Sequence, residues 1–331
     1  MKKILNTAAD YVDEMLEGLC EAHPEHYQQR ERRVIVRTGG AMPGKVGIVT
    51  GGGSGHLPVF TGYVGSGLLT ASAVGDVFAS PSSEQCASAI RHANGGAGVL
   101  LLYGNYGGDV MNFDMAAEMV DFEDSIKTAT VLVNDDVCSA APEEAQRRRG
   151  TAGMVYGFKI AGAMAERGAN LADVARVAQK ASNACRSIGM ALSPCTVPLA
   201  GKPTFSIGDD EMEMGMGIHG EPGVWRGPLK SADQIAGEML ERLLADMPLS
   251  RGERVSFLVN SLGATPPEEL YILYRYVAKH FKGLGVEIAM PLVGRYATSM
   301  EMAGATFTMC RLDGELEELL RAPANCAFWR V

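Results

Sequence analysis

Over its first 180 residues the chain switches repeatedly between two hydrophobic periods. Residues 6–20 carry apolar side chains at helical spacing, a first helix. Short apolar runs at 34–36, 46–49, 68–74, 99–103 and 130–133 are each bounded by glycine or polar turns and read as strands. Helical spacing returns at 83–92 and about 110–122. Strands alternating with helices predict an α/β fold with a mostly parallel sheet flanked by helices. Residues 150–167 and 171–188 then read as two long helices, the second N-capped by Asn170.

From 188 to 202 the helical pattern stops, and Pro194, Pro198 and Pro203 accumulate. The domain boundary is expected there, giving an N-terminal α/β domain over 1–188 and a C-terminal α/β domain over 189–331. In the second half, Ser231-Ala-Asp-Gln234 and Thr265-Pro-Pro-Glu268 both fit a capping box, the latter with proline at the first helical position. Runs at 255–259 and 286–290 read as strands. No internal repeat interrupts the pattern.

Charge and cysteine usage narrow the function classes. Thirty Lys and Arg against 39 Asp and Glu leave a formal net charge of −9 over 331 residues. An acidic chain without a basic block excludes nucleic acid and anionic membranes as expected partners. The longest basic run, Arg147-Arg148-Arg149, reads as a solvated helix end. No stretch approaches 18 uninterrupted apolar residues, and Asp10, Asp13, Glu14 and Glu17 break any signal-like start. Seven cysteines without a C-x-x-C spacing read as reduced thiols in a cytoplasmic protein, with no metal site. Glycine is the outlier: 40 of 331 residues, about 12% against a usual value of about 7%.

The glycines fall where chemistry is expected. In open α/β sheets, ligands bind beyond the carboxyl ends of the strands. The segments that follow four successive strands are Gly51-Gly52-Gly53-Ser54-Gly55-His56, then Gly75-Asp76 with Phe78-Ala79-Ser80, then Gly104-Asn105-Tyr106-Gly107-Gly108-Asp109, then Asn134-Asp135-Asp136. The first is not a P-loop, because no Gly-Lys-Ser/Thr follows, and it breaks the dinucleotide fingerprint at His56. It is either a tight connection or a loop whose N–H groups face a small polar or phosphoryl ligand.

Six histidines are present. His23 and His26 lie among glutamates and read as solvated, while His92 and His280 close helices, where a cation is favourable. His56 and His219 alone sit among glycines, the latter in Gly217-Ile218-His219-Gly220-Glu221-Pro222-Gly223. Each is either a buried, hydrogen-bonded residue or part of a site in which one imidazole attacks a carbonyl while the other and Asp109 manage protons. No lysine occupies these loops to form a Schiff base, and Ser54 lacks the last glycine of a Gly-x-Ser-x-Gly nucleophile elbow.

These motifs resemble the DhaK subunit family of dihydroxyacetone (glycerone) kinases. The resemblance rests on 51–58, 105–109 and 217–223, and extends to Asn134-Asp135-Asp136-Val137, Lys159-Ile160-Ala161-Gly162-Ala163, Cys195-Thr196-Val197-Pro198, 258–266 and 298–304. It implies a transferase of glycerol metabolism in which His219 captures a short ketone or aldehyde as a covalent hemiaminal. It further implies Asp109 as general base, His56 as a hydrogen-bonding catalytic partner, and Gly53 and Ser80 as pocket walls. Gly104 stands where the family commonly has lysine, so the pocket is expected to have room for a longer ketose such as erythrulose beside dihydroxyacetone. The resemblance also implies a homodimer and a separate, DhaL-like nucleotide-binding subunit carrying ATP or ADP with Mg, since no segment here resembles a nucleotide domain. Two competing readings are a ketose sensor that regulates through a partner protein and a nucleotide-dependent oxidoreductase; the failed dinucleotide spacing disfavours the second.

Overall fold

The alternating runs of the first half fold into one six-stranded sheet. In the computed structural model, which describes residues 2–331, the chain begins with α1 (Tyr11–Ala22), β1 (Tyr27–Gln29), β2 (Val34–Arg37) and β3 (Gly47–Ser54). There follow β4 (Ala71–Val77), α2 (Ser83–Ala93), β5 (Val99–Gly104), α3 (Gly107–Asp124) and β6 (Thr128–Val133). The strand order is β1-β2-β4-β3-β5-β6. Pairings β4–β3, β3–β5 and β5–β6 are parallel, and β2 alone runs against its neighbours. The sheet is therefore mostly parallel, and the carboxyl ends of β3, β4, β5 and β6 share one edge.

Helices α4 (Gly153–Glu166) and α5 (Leu171–Ala184) lead into a second sheet, formed by β7 (Cys185–Ser193), β8 (Glu211–Met214), β9 (Trp225–Pro228), β10 (Arg254–Ser261), β11 (Glu287–Gly294) and β12 (Ala303–Leu312). Its order is β11-β10-β12-β7-β8-β9, antiparallel except for β10–β11. Helices α6 (Ala232–Asp246), α7 (Pro267–Leu284) and α8 (Gly314–Arg321) complete the chain. α4 is buried on almost every side, as a helix apolar all round must be. It lies in a core that runs from Leu100 and Val131 of the first sheet through Ile160 and Val177 to Leu258 and Leu312 of the second. The buried Lys159 on α4 donates to the Leu319 carbonyl of α8 at 2.8 Å.

Local signals explain most helix starts. Ser82 with Gln85 and Ser231 with Gln234 form reciprocal capping boxes, and Asn170 caps α5 through the Asp173 N–H. Thr265 departs from its expected capping role. Pro266 takes the N-cap position of α7, and the Thr265 hydroxyl donates to the Gly304 carbonyl instead. The helix expected over 171–188 ends at Ala184, because Cys185–Ser193 pairs with β12; the boundary expected at 188/189 falls inside that strand.

Two surface expectations and one loop expectation fail. His26 is buried, its carbonyl accepting from Thr38 N–H and its ring packed near those of His23 and Tyr27. The arginine run is not a solvated helix end either. Only Arg147 is exposed, while Arg148 is 1% exposed and forms a bidentate pair with Asp246. Arg149 is drawn inward by Asp136, with Nη2 2.7 Å from Oδ2. Gly51–Ser54, expected as a loop, continues β3 and is buried throughout.

Candidate active site

His56 follows β3 at the shared carboxyl edge, and its ring is fixed from the connection between β11 and β12. Its Nδ1 lies 2.7 Å from the Thr298 carbonyl oxygen. A carbonyl only accepts, so Nδ1 carries the proton and Nε2 presents a lone pair. Nε2 has no partner, although the residue is only 1% exposed. Burial, then the neighbouring charge of His219, pushes its pKa down to about 3. His56 is therefore a neutral imidazole at physiological pH. Phe78 stacks on it with ring centroids 4.8 Å apart. That approach requires Gly53, because a Cβ there would lie 2.7 Å from both the Phe78 Cα and the Ala79 nitrogen.

His219 lies in the connection between β8 and β9. Its Nδ1 is 2.9 Å from Glu221 Oε1, and its backbone N–H donates to Glu221 Oε2 at 2.9 Å. Burial pushes the Glu221 carboxyl up, but the hydrogen bond and charge of His219, with the charge of Arg149, overcome this and hold it at about 2. The carboxylate is ionised and can only accept, so a His219 proton sits on Nδ1, and the neutral form of the ring presents its lone pair at Nε2. Around this imidazole stand His56 and Tyr106, each with centroids 4.8 Å away, and Phe78 at 5.3 Å. The loop itself is pinned by Ser299, whose hydroxyl donates to the Ile218 carbonyl.

Asp109 is the third residue of α3 and is buried, with Oδ1 unpartnered. Burial raises its pKa to about 6, against the opposing pull of the Ser80 hydroxyl and the His219 charge. Being near 6, that value leaves the acid mostly ionised at neutral pH, and its place in the first turn of α3 suits an anion. Its basicity is close to the working pH, as a general base requires.

The structure thus brings His56 and His219 into contact and sets Asp109 within electrostatic reach of His219. Ser80 abuts the start of α3, so close that a Cβ on Gly108 would meet its hydroxyl at 2.7 Å. Gly53 backs the Phe78 wall. Gly104 behaves differently from expectation. A Cβ there would meet Met154 Sδ and the Tyr106 ring at 3.2 Å, so the space a side chain would enter is filled rather than left open. Sequence reasoning assigned no role to Phe78 and Tyr106, which wall the imidazoles, or to Thr298, Glu221 and Arg149, which orient them. Glu221, two residues from His219 in the same glycine run, is the one with a readable signal. Among the described residues no group of three or more His, Cys, Asp or Glu is placed to hold a metal ion, and no helix is long and apolar enough to cross a membrane.

Residues 17–328 match the Dak1 domain. This chain belongs to the Dak1 domain family. The Dak1 chain is 43% identical over 330 residues to the dihydroxyacetone-binding subunit DhaK of a PTS-dependent dihydroxyacetone kinase of Listeria innocua, covering 99% of this chain and 100% of that one. It is 41% identical over 334 residues to the L-erythrulose kinase of Pectobacterium atrosepticum, covering 100% of this chain and 56% of that one. Among solved structures, the dihydroxyacetone kinase operon co-activator Dha-DhaQ superposes with a TM-score of 0.88 at 31% identity, over 94% of this chain and 96% of that one. The dihydroxyacetone kinase of C. freundii in complex with AMP-PNP and Mg2+ superposes with a TM-score of 0.88 at 32% identity, over 99% of this chain and 61% of that one. The family read from the glycine and histidine motifs is the family found, and its α/β fold is shared.

Proposed function

We propose that this Dak1 chain is the ketose-binding catalytic subunit of a dihydroxyacetone-type kinase, a phosphotransferase that holds its substrate as a hemiaminal on His219. The observation that carries the reading is the imidazole of His219, held at Nδ1 by the Glu221 carboxylate so that Nε2 is the nitrogen that can attack. In the capture step the Nε2 lone pair forms a bond to the carbonyl carbon, and the carbonyl π pair moves to oxygen, which takes a proton from solvent. The Nδ1 proton leaves by way of Glu221, so protons balance and no water is lost. His56 cannot donate at Nε2, so it accepts a hydrogen bond from a substrate hydroxyl. Asp109 takes the proton of the hydroxyl that attacks the phosphorus of the donor, and the donor's leaving group departs. Positioning and electrostatics are the main content of such a transfer.

The phosphoryl donor belongs, on this reading, to a second, DhaL-like subunit that binds ATP or ADP with Mg. Support comes from the words "dihydroxyacetone-binding subunit" in the name of the Listeria relative, and from the C. freundii kinase, which holds AMP-PNP and Mg2+ in a chain of which this one covers 61%. The substrate is dihydroxyacetone or a close four-carbon ketose; the likeness to an L-erythrulose kinase supports the latter. A homodimer in the cytoplasm completes the proposal and rests on the motif resemblance and the cysteine usage alone.

A second reading, a ketose sensor acting through a partner protein, is favoured by the likeness to the co-activator DhaQ. Phosphorylation of dihydroxyacetone and erythrulose, assayed with a purified nucleotide-binding subunit and MgATP or a sugar-phosphotransferase donor, separates the two. Turnover supports the kinase. Ketose binding without turnover under any donor supports the sensor.

A further inference from the structure

We propose that Arg149 is the positioning residue of the nucleophile: anchored on Asp136, it holds Glu221 where that carboxylate fixes the His219 tautomer. This rests on the proposed capture of a ketone by His219. Arg149 donates to Asp136 Oδ2 through Nε at 3.0 Å, and its Nη2 lies 2.7 Å from the same oxygen. Its Nη1 reaches Glu221 Oε2 at 3.8 Å, the oxygen that also receives the His219 backbone N–H. The line Asp136–Arg149–Glu221–His219 crosses from the β6 edge of the first sheet to a loop of the second. Gly217 is cut to admit it. A Cβ there would lie 2.1 Å from Glu221 Oε2 and 2.7 Å from Arg149 Nη1.

The cation has two effects. It adds to the pull of His219 in offsetting the burial of Glu221, and its Nη1 sits beside the Oε2 that accepts the His219 backbone N–H, so it holds the carboxylate in the orientation that faces Nδ1. It also divides the negative charge of Glu221, leaving less to stabilise an imidazolium, the form with no lone pair to attack. The groups that face Glu221 are His219 on its own loop, Arg149 beyond β6, Tyr106 at the start of α3 and His56 beyond β3. Among these Arg149 is the permanent cation.

The test uses the full chain with 15N-labelled histidine. In the wild type, the His219 signals report the Nδ1–H tautomer. Arg149→Met is expected to free the Glu221 carboxylate to turn away from His219, converting part of the population to Nε2–H, and to raise the acid limb of ketose adduct formation, because a cation that opposes protonation of both groups is gone. Arg149→Lys is expected to restore part of both, since it keeps the charge without the fork. A folded Arg149→Met with wild-type tautomer and acid limb overturns the assignment. If that variant does not fold, Arg149→Gln decides on the same readouts, because it removes the cation while keeping a polar side chain on Asp136, and an unchanged tautomer and acid limb there overturn it equally. A wild type with the Nδ1–H tautomer but no adduct with any ketose sinks the proposed function and leaves the role of Arg149 to the tautomer measurement.

Discussion

The rings of His56 and His219 meet edge to face with centroids 4.8 Å apart, and both carry their proton on Nδ1. Their acceptors differ, and so do their roles. His219 leans on an ionised carboxylate that can take up its proton as the ring becomes a nucleophile. His56 donates from Nδ1 to the neutral Thr298 carbonyl in a buried setting that resists protonation, so its Nε2 can only accept. His56→Ala should leave the ketose adduct on His219 intact and lower turnover by about 10²-fold, the usual contribution of a positioned proton-handling side chain. Parallel mass spectrometry and kinetics on that variant check it; loss of the adduct would make His56 part of the capture step.

Asp109 should dominate the pH dependence of phosphorylation. Its pKa is raised to about 6, so the base is ionised above that value and turnover falls tenfold per unit as pH drops below it. Asp109→Asn should remove most turnover, by about 10²–10⁴-fold, while adduct formation persists. A pH–kcat profile of the wild type and an adduct assay of the variant decide the matter.

The same burial predicts a stability gain. Between the ordinary carboxylate pKa near 3.8 and the folded value near 6, the native state binds more protons than the unfolded chain, so folding stability falls as pH rises through this window. At neutral pH Asp109 is therefore a net cost, and Asp109→Asn should stabilise the fold by roughly 1–3 kcal/mol. Chemical denaturation at pH 7 and at pH 4 should show the gain at the first and little of it at the second.

Arg148 carries the opposite expectation. Its guanidinium and the Asp246 carboxylate are 1% and 7% exposed and paired through both Nη atoms. Arg148→Met leaves a buried carboxylate with only Arg186 beside it, and should cost about 3–5 kcal/mol in denaturant unfolding. A loss under 1 kcal/mol would mean that Arg186 compensates.

Much of this was legible in the residues. β2, β5, β6 and β10 carry apolar runs that leave little choice, and the capping boxes of α2 and α6 are local. The failures have physical causes. β7 was hidden because its Cys-Arg-Ser-Ile-Gly-Met-Ala-Leu-Ser run continues the small apolar residues of α5, and only pairing with β12 makes it a strand. Gly51–Ser54 looked like a loop because glycine has poor strand propensity, yet neighbouring aromatic rings and backbone occupy the space its side chains would need. At the site, the chemical residues stood out as histidines among glycines. Arg149 did not, because a basic triplet shows nothing of the buried Asp136 and Glu221 that draw one member inward.

Native mass spectrometry of the chain incubated with dihydroxyacetone or erythrulose tests the central claim most directly. A hemiaminal adds the full mass of the ketose without loss of water, whereas a lysine Schiff base loses one. The expected result is that full-mass adduct in the wild type and in Asp109→Asn, and its absence in His219→Ala. An adduct that survives His219→Ala, or one lighter by a water, would contradict it.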